Sequence, residues 1–399
     1  MKRRIAVITG TRADYGLMYW LIHDLHQAED IALQLIVTGM HLMTEFGHTV
    51  DVIERDGFPI AARVDLQLSS DSPQAVAHAM GVGLIGFTDA LSRLASDLVV
   101  ILGDRFEMLA AASAAFTLRM PIAHIHGGEV TEGALDEGFR HAITKLSALH
   151  FTAAEAYRQR VIQMGEQPGR VFNVGAPGLD HVRRTPLLDR VELESALDFR
   201  LGVLNFLVTF HPATLDIEDA VSQCRQLLAA LDAFPDAHIV FTLPNADPGG
   251  RAIIPEIEDY VARYPKRCRL YASLGQLRYL SLMRQVQVVI GNSSSGIIEA
   301  PTFGAATVNI GDRQKGRLRA RSVIDCVAER LSIEQAIARA ITPDFQSLLP
   351  TIENPYGAGD ASGRMLAVLR SVNLSELGRK PFFDLPDRAS RMSSMDGHE

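Results

Sequence analysis

Residues Leu98–Glu107 read LVVILGDRFE: five consecutive apolar residues, then Gly103, Asp104, Arg105, Phe106 and Glu107. A strand that is apolar on both faces has to be covered on both faces, which is the position of a strand inside a parallel sheet with helices on either side. The glycine ends the run, and the amphipathic stretch Glu107–Leu118 after it reads as a helix. This strand–turn–helix unit recurs along the chain. Ile5–Thr9, Leu33–Val37, Ile122–His126 and Val171–Val174 read as further strands, and Leu17–His26 and Glu137–Ala148 as further helices. Such alternation predicts a doubly wound α/β domain.

The composition then changes. Gly175–Leu179 (GAPGL) is rich in turn formers, and Arg183–Arg200 is polar and charged. A second series follows, with strands expected at Leu204–Phe210, His238–Leu243, Arg269–Ala272, Val286–Ile290 and Ala306–Ile310, and helices at Ile217–Leu231 and Leu274–Arg284. The expectation is one domain over 1–180 and a second over 181–360, with the boundary inside 178–200. Residues 376–399 form a Pro-, Ser- and Arg-rich tail whose last dozen residues are expected to be mobile.

With 399 residues, 47% hydrophobic and 22% charged, the chain has ordinary globular composition. Its net charge of −8 argues against a nucleic-acid binder, which would carry a basic stripe. A small anionic ligand stays open, because backbone amides and a few arginines can hold a phosphate whatever the total charge. The three cysteines, Cys224, Cys268 and Cys326, are far apart and form no CxxC. That spacing fits a reducing compartment and supplies no zinc site. The short run Ile5–Ile8 is too brief for a signal-peptide core, and no window has some 18 uninterrupted apolar residues. A cytoplasmic protein with no membrane partner is expected.

Ligands of open α/β sheets bind beyond the carboxyl ends of the strands, so the residues following each strand are the candidates. After the first strand come Gly10-Thr11-Arg12-Ala13-Asp14-Tyr15-Gly16, where Arg12 and Asp14 sit at a helix start. This is not GxGxxG, and no dinucleotide fingerprint follows any strand. Asp104 stands where a ligand binds, and equally where a helix N-cap would. Beyond Ile122–His126 the chain is dense in ionisable groups: His124, His126, Glu129, Asp136, Glu137, Arg140 and His141. Crowding of this kind is costly unless it serves acid/base chemistry. Taken singly, His124 or His141 could as well be a satisfied structural histidine. The histidines show no convincing metal-ligand spacing.

In the second half His211-Pro212 ends a strand, and Leu243-Pro244-Asn245 ends the next. The most specific motif is Gly291-Asn292-Ser293-Ser294-Ser295-Gly296, which leads from a strand into Ile297-Ile298-Glu299. Three hydroxyls and a helix start predict a phosphate cradle formed by Ser293, Ser294, Ser295 and Gly296. Glu299, one turn in, is placed to accept both hydroxyls of a ribose. Gly311–Arg317 adds cations, among them Arg313.

In this order, GTRADYG, GDRFE, HIHGGEVTEGALDEGFRHAITK, TFHPAT, GNSSSGIIEAP and NIGDRQKGR resemble the hydrolysing UDP-N-acetylglucosamine 2-epimerases of sialic and related nonulosonic acid synthesis. The resemblance spans nearly the whole chain. It implies two Rossmann-like domains with a central cleft, the glycosyltransferase-B-like arrangement, and a C-terminal helix near Gly363–Ser371 within a 361–375 segment that crosses back to the first domain. It implies conversion of UDP-N-acetylglucosamine and water to N-acetylmannosamine and UDP through a 2-acetamidoglucal. By motif position it makes Asp104, Asp136 and Glu137 acid/base groups, with His211 on the departing diphosphate. Arg12, Ser293, Ser294 and Glu299 then become nucleotide ligands, and Arg140 a partner for a carboxylate or phosphate. No metal and no cofactor is implied, and the family suggests a homodimer or homotetramer.

One position departs from the pattern: several relatives carry glutamate where this chain has His126. Either His126 or Glu129 takes over that acid/base work, and the imidazole is a credible base at neutral pH. Relatives in the legionaminic acid route act on UDP- or GDP-linked 2,4-diacetamido-2,4,6-trideoxyhexoses, which is the alternative substrate. A non-hydrolysing epimerase and a glycosyltransferase on the same fold are rivals. A non-catalytic nucleotide-sugar sensor would not need Asp104, Asp136 and Glu137.

Overall fold

The computed structural model describes residues 2–44, 47–70, 72–131, 135–212, 217–244 and 250–385. Two compact units emerge, Met1–Asp180 together with the segment from Gly359, and His181–Ala358.

In the first unit the strands are β1 (Arg3–Thr9), β2 (Ile31–Thr38), β3 (Ile60–Val64), β4 (Leu98–Leu102), β5 (Ile122–Ile125), β6 (Leu149–Thr152) and β7 (Val171–Asn173). The helices are α1 (Arg12–Gln27), α2 (Val50–Arg55), α3 (Pro73–Leu94), α4 (Phe106–Thr117), α5 (Leu135–Leu146), α6 (Glu155–Gln163) and α7 (Leu179–Arg184), the last ending across the unit boundary. All strand pairs are parallel, in the order β3-β2-β1-β4-β5-β6-β7. Alternate residues of β1 feed two cores. Ile5 and Val7 pack with α1, and Ala6 and Ile8 pack with α3 and α4. This double burial is why the strand reads as a continuous apolar run.

The second unit contains α8 (Arg190–Leu197), β8 (Leu204–Thr209), α9 (Ile217–Leu231), β9 (Ala237–Thr242), α10 (Gly250–Arg263), β10 (Cys268–Tyr271) and α11 (Gly275–Met283). It continues with β11 (Val288–Gly291), α12 (Ser294–Ile298), β12 (Ala306–Ile310), β13 (Val323–Cys326), α13 (Arg330–Ala340) and α14 (Pro343–Leu348). Its six parallel strands run β10-β9-β8-β11-β12-β13. Phe206 and Val208 of β8 face α9, α10 and α13, and Leu207 faces α8 and α11.

In both sheets the strand order reverses once, between β1 and β4 and between β8 and β11. At these two switch points the flanking helices leave to opposite faces and open a crevice at the strand ends, where ligands of such sheets bind.

After Gly359 the chain returns to the first unit as α15 (Ala361–Ser371) and α16 (Leu374–Leu377). The carboxylate of Asp180 caps α15, accepting from Ala361 N at 2.8 Å and Ser362 N at 2.7 Å. Met365 and Leu369 join the core beneath α1. The following stretch is held as well: Phe383 N donates to Gly165 O at 2.9 Å, and Lys380 Nζ reaches buried Glu166 at 2.8 Å. The last dozen residues, expected to be mobile, lie outside the described residues.

Some elements were not anticipated. β3, β6 and β13 are only four or five residues long. The 22-residue α3 contains Gly81, Gly83 and Gly86 and starts on the N-cap Ser72 with Pro73 behind it. By length and composition alone α3 could cross a membrane. In this fold Ala79, Phe87 and Leu91 are buried, in the core shared with α4. The strand expected over Ile122–His126 stops at Ile125, because His126 takes a left-handed backbone with φ 68°.

Candidate active site

At the first switch point, Thr11 caps α1 by accepting from Asp14 N at 3.2 Å. Arg12 lies exposed in the first turn. Asp14 turns inward, where its Oδ2 has no hydrogen-bond partner, and its carboxyl is pushed up to about 6 by burial and by the nearby Glu107. At the end of β4 the capping reading of Asp104 does not hold. Arg105 occupies the N-cap of α4 without a side-chain cap, and Asp104 instead pairs with Arg140. Glu107, 1% exposed, accepts from Arg105 Nε at 2.6 Å and leaves Oε2 without a partner.

Arg140, on α5 and only 4% exposed, organises the acidic cluster. Its guanidinium donates to Asp104, to Glu137 Oε2 at 2.8 Å, to Glu129 O at 3.0 Å and to Thr131 Oγ1 at 2.7 Å. Glu137 also accepts from Thr131 N at 2.6 Å and bonds His141 Nε2 at 3.0 Å. Burial opposes ionisation of Glu137, but these donors outweigh it and lower its pKa. Asp136 moves the other way, raised by burial and by Asp104. Adjacent carboxyls thus differ in proton affinity, which is what separate acid and base roles require.

The histidines divide as well. His124 is fully buried, with Nε2 2.7 Å from Gly103 O and Nδ1 3.1 Å from Thr144 Oγ1; burial drives its pKa down to about 3. It is a neutral structural residue. His126 bonds Glu129 through Nδ1, and its buried Nε2 has no partner.

The second switch point is built on Gly291 and Asn292. A Cβ on Gly291, at φ 133°, would lie 2.0 Å from Thr209 O, so only glycine fits. Asn292 bridges to His211, accepting from its N at 2.7 Å and donating to its O at 2.7 Å. The carbonyl of Asn292 receives Gln314 Nε2 at 2.8 Å and Arg313 at 3.2 Å. Ser293 caps α12, which has just five residues, so single N–H groups rather than a long macrodipole would hold an anion here. Ser295 Oγ is engaged by Ser293 Oγ at 3.0 Å and Tyr279 OH at 2.6 Å. Gly296 faces the sheet, with Thr307 Cγ2 2.8 Å from where its Cβ would stand. Burial pushes the Glu299 carboxyl up to about 7, against a weaker lowering by Arg317. Asn245 lies outside the described residues.

The structure therefore groups Asp104, Glu129, Glu137 and Arg140, with His126 joined through Glu129, and separately groups His211, Arg313 and the Ser293–Ser295 turn. Three residues not picked as candidates belong beside them: Arg105, Glu107 and Asn292. Their signal was present in GDRFE and GNSSSG, at positions directly after buried strands.

The family described as UDP-N-acetylglucosamine 2-epimerase matches residues 23–370. The chain belongs to this family. Over 385 residues it is 38% identical to the hydrolysing GDP/UDP-N,N'-diacetylbacillosamine 2-epimerase of Campylobacter jejuni, covering 96% of this chain and 100% of the relative. Over 376 residues it is 39% identical to the hydrolysing UDP-N,N'-diacetylbacillosamine 2-epimerase of Legionella pneumophila, covering 94% and 97%. The fold matches the crystal structure of UDP-GlcNAc 2-epimerase from Neisseria meningitidis bound to UDP-GlcNAc, with TM-score 0.73, 21% identity, and coverage of 92% and 100%. The two-domain α/β fold of glycosyltransferase-B type is thereby shown. So is the reaction class: this epimerase is an enzyme of the hydrolysing nucleotide-sugar type.

Proposed function

We propose that the enzyme takes a UDP-linked 2-acetamido sugar, releases UDP, and returns the free sugar inverted at C2. The chemistry rests on one observation, the buried Arg140 that gathers Asp104, Glu129 and Glu137 at the first switch point. A hydrogen on C2 of a glycoside is not acidified by a carbonyl, so its removal needs a placed base and a stabilised leaving group. Elimination of UDP across C1–C2 gives a 2-acetamidoglucal. Water then adds at C1 while a proton reaches C2 from the opposite face. Asp104, Asp136 and Glu137 serve proton transfer in this reading. His211 and Arg313 meet the diphosphate, Ser293 and Ser294 the nucleotide phosphates, and Glu299 the ribose. Elimination followed by hydration brings no net oxidation or reduction, so both steps call only for proton transfer and stabilisation of the leaving group.

For the sugar, we favour 2,4-diacetamido-2,4,6-trideoxyglucose over N-acetylglucosamine, because two relatives named for that substrate share 38% and 39% identity over nearly the whole chain. A proton NMR time course in D₂O with each UDP-sugar tests both parts. The expected result is free UDP and a C2-deuterated manno sugar, with kcat/KM at least about tenfold higher for the diacetamido substrate. Preference for UDP-N-acetylglucosamine overturns the choice of sugar, and no turnover of either overturns the reading.

A further inference from the structure

Helix α5 carries Asp136, Glu137 and Arg140 near its start, yet little apolar surface holds it down. Its buried residues are Arg140, Ile143 and Thr144, and only Ile143 is apolar, with Leu146 half-buried beside it. The placement of the helix therefore rests on polar contacts, and these form a closed ring. Arg140 reaches Asp104. One turn further on, Thr144 Oγ1 lies 3.1 Å from His124 Nδ1, and His124 Nε2 lies 2.7 Å from the carbonyl of Gly103, the residue before Asp104. A carbonyl only accepts, so Nε2 carries the proton and the threonine hydroxyl donates to Nδ1. A slip of α5 along its axis would part Arg140 from Asp104 and Thr144 from His124.

The far end of α5 is held by a residue more than 230 positions away. The last carbonyls of a helix have no partner inside it, and a cation placed there also meets the negative end of the helix dipole. Lys380 Nζ donates to Lys145 O at 2.6 Å, to Ser147 O at 2.6 Å and to Thr144 O at 3.2 Å. Its charge is balanced by Glu166, 2% exposed, at 2.8 Å. The stretch that carries Lys380 is anchored in turn. Arg170 donates to Glu376 O and Arg379 O, both at 2.8 Å, and Phe383 packs on Val161, Ile162 and Val171.

We propose that Lys380 is a positioning residue of the reaction: by capping α5 it holds the groups at the start of that helix in place against Asp104. The proposal rests on the function proposed above. The groups assigned there to the diphosphate, the nucleotide phosphates and the ribose all belong to the second unit. Loss of the cap therefore acts on turnover and leaves substrate binding nearly intact.

UDP release is measured with the UDP-sugar that the wild type turns over, at a temperature where circular dichroism shows every variant folded. Lys380→Met keeps most of the stem and removes the donors. A misplacement on the order of 1 Å costs up to about 10²-fold in rate, so kcat should fall about 10–100-fold while KM stays within about threefold. Lys380→Arg keeps the charge and several N–H donors and should recover part of kcat. Lys380→Gln serves the same test if Lys380→Met does not fold. Ile53→Val controls for general loosening: Ile53 is fully buried in α2, in the core that does not contain Ile143, and its kcat should stay within about twofold of wild type. Amide exchange supplies a readout that needs no turnover. The amides of α5 should lose protection in Lys380→Met and keep it in Ile53→Val. An unchanged kcat in Lys380→Met, an equal loss in Ile53→Val, or unchanged protection of α5 overturns the proposal. A wild type inactive on every UDP-sugar tested overturns the proposed reaction instead, whereas the protection of α5 still reports on the cap by itself.

Discussion

Asn292 holds the backbone of His211 with both ends of its amide, accepting from His211 N at 2.7 Å and donating to His211 O at 2.7 Å. The two residues lie just beyond the adjacent strands β8 and β11, so the side chain extends the sheet's pairing past the switch point. It also orients His211, because Pro212 cannot donate a backbone bond of its own.

Asn292→Ala would leave a buried N–H and a buried C=O unsatisfied. We expect a loss of about 2–4 kcal/mol in urea denaturation. Asn292→Asp keeps the acceptor and loses the donor, and should fall between Asn292→Ala and the wild type. Stability within about 0.5 kcal/mol of wild type for Asn292→Ala would show that the clamp is dispensable.

Arg140→Met removes the counter-charge of Asp104 and Glu137 together. Breaking a buried ion pair by deleting one partner costs about 3–5 kcal/mol, and a loss of that size is expected in thermal or chemical unfolding. Arg140→Lys restores a charge but not a planar fork able to reach four acceptors, so it should recover less than half of the loss.

Glu299 gives a pH signature. Its carboxyl is raised to about 7 in the folded chain. The folded state therefore holds a proton that the unfolded chain releases near pH 4.5, and the stability from this group is full below that pH and is lost as pH rises through about 7. In the function proposed above, ribose hydroxyls donate to the ionised carboxylate, so UDP binding should tighten as pH rises through the same range. Isothermal titration of UDP from pH 6 to pH 8 checks this, and Glu299→Gln should flatten the pH dependence.

Glu166 behaves oppositely. Burial opposes its ionisation, but His150 at 3.0 Å, Lys145 at 2.6 Å and Lys380 at 2.8 Å outweigh it and hold the pKa near 2. This stability is present above the unfolded value of about 4.5 and drains away as pH falls towards 2, on the order of 2–3 kcal/mol. Acid denaturation of Glu166→Gln should lack that component. Lys380→Met should also loosen the stretch 378–385, read as faster amide exchange at Phe383, whose N–H bonds Gly165 O.

How legible the molecule was depended on the kind of signal. β4 has the bounds its apolar run announces, because a strand buried on both faces leaves its record in every residue. β3, with Arg63 in its middle, and the four-residue β6 and β13 leave too short a pattern to separate from loop. α3 hides behind its glycines, which lower intrinsic helicity; packing on α4 restores what propensity withholds. His126 continues the alternation of β5 on paper, and only the contacts that impose its left-handed backbone remove it from the strand.

The site divides in the same way. Which residues stand directly after buried strands is a one-dimensional fact, and it picked out Asp104, His126, Glu129, His211 and Ser293 before any coordinates. Which of them touch is not. The chain order says nothing of β1 lying beside β4 or β8 beside β11, and those adjacencies, set by sheet topology, create the two switch points. Nor does it reveal that Arg140 would sit within reach of Asp104, 36 residues away, or that Asn292 would clasp His211 at a separation of 81. Sequence by itself determined the elements and the chemical inventory, because burial and local geometry act on each residue where it stands. Pairing, protonation and strain were decided by the tertiary structure, because they depend on which distant groups share a low-dielectric space.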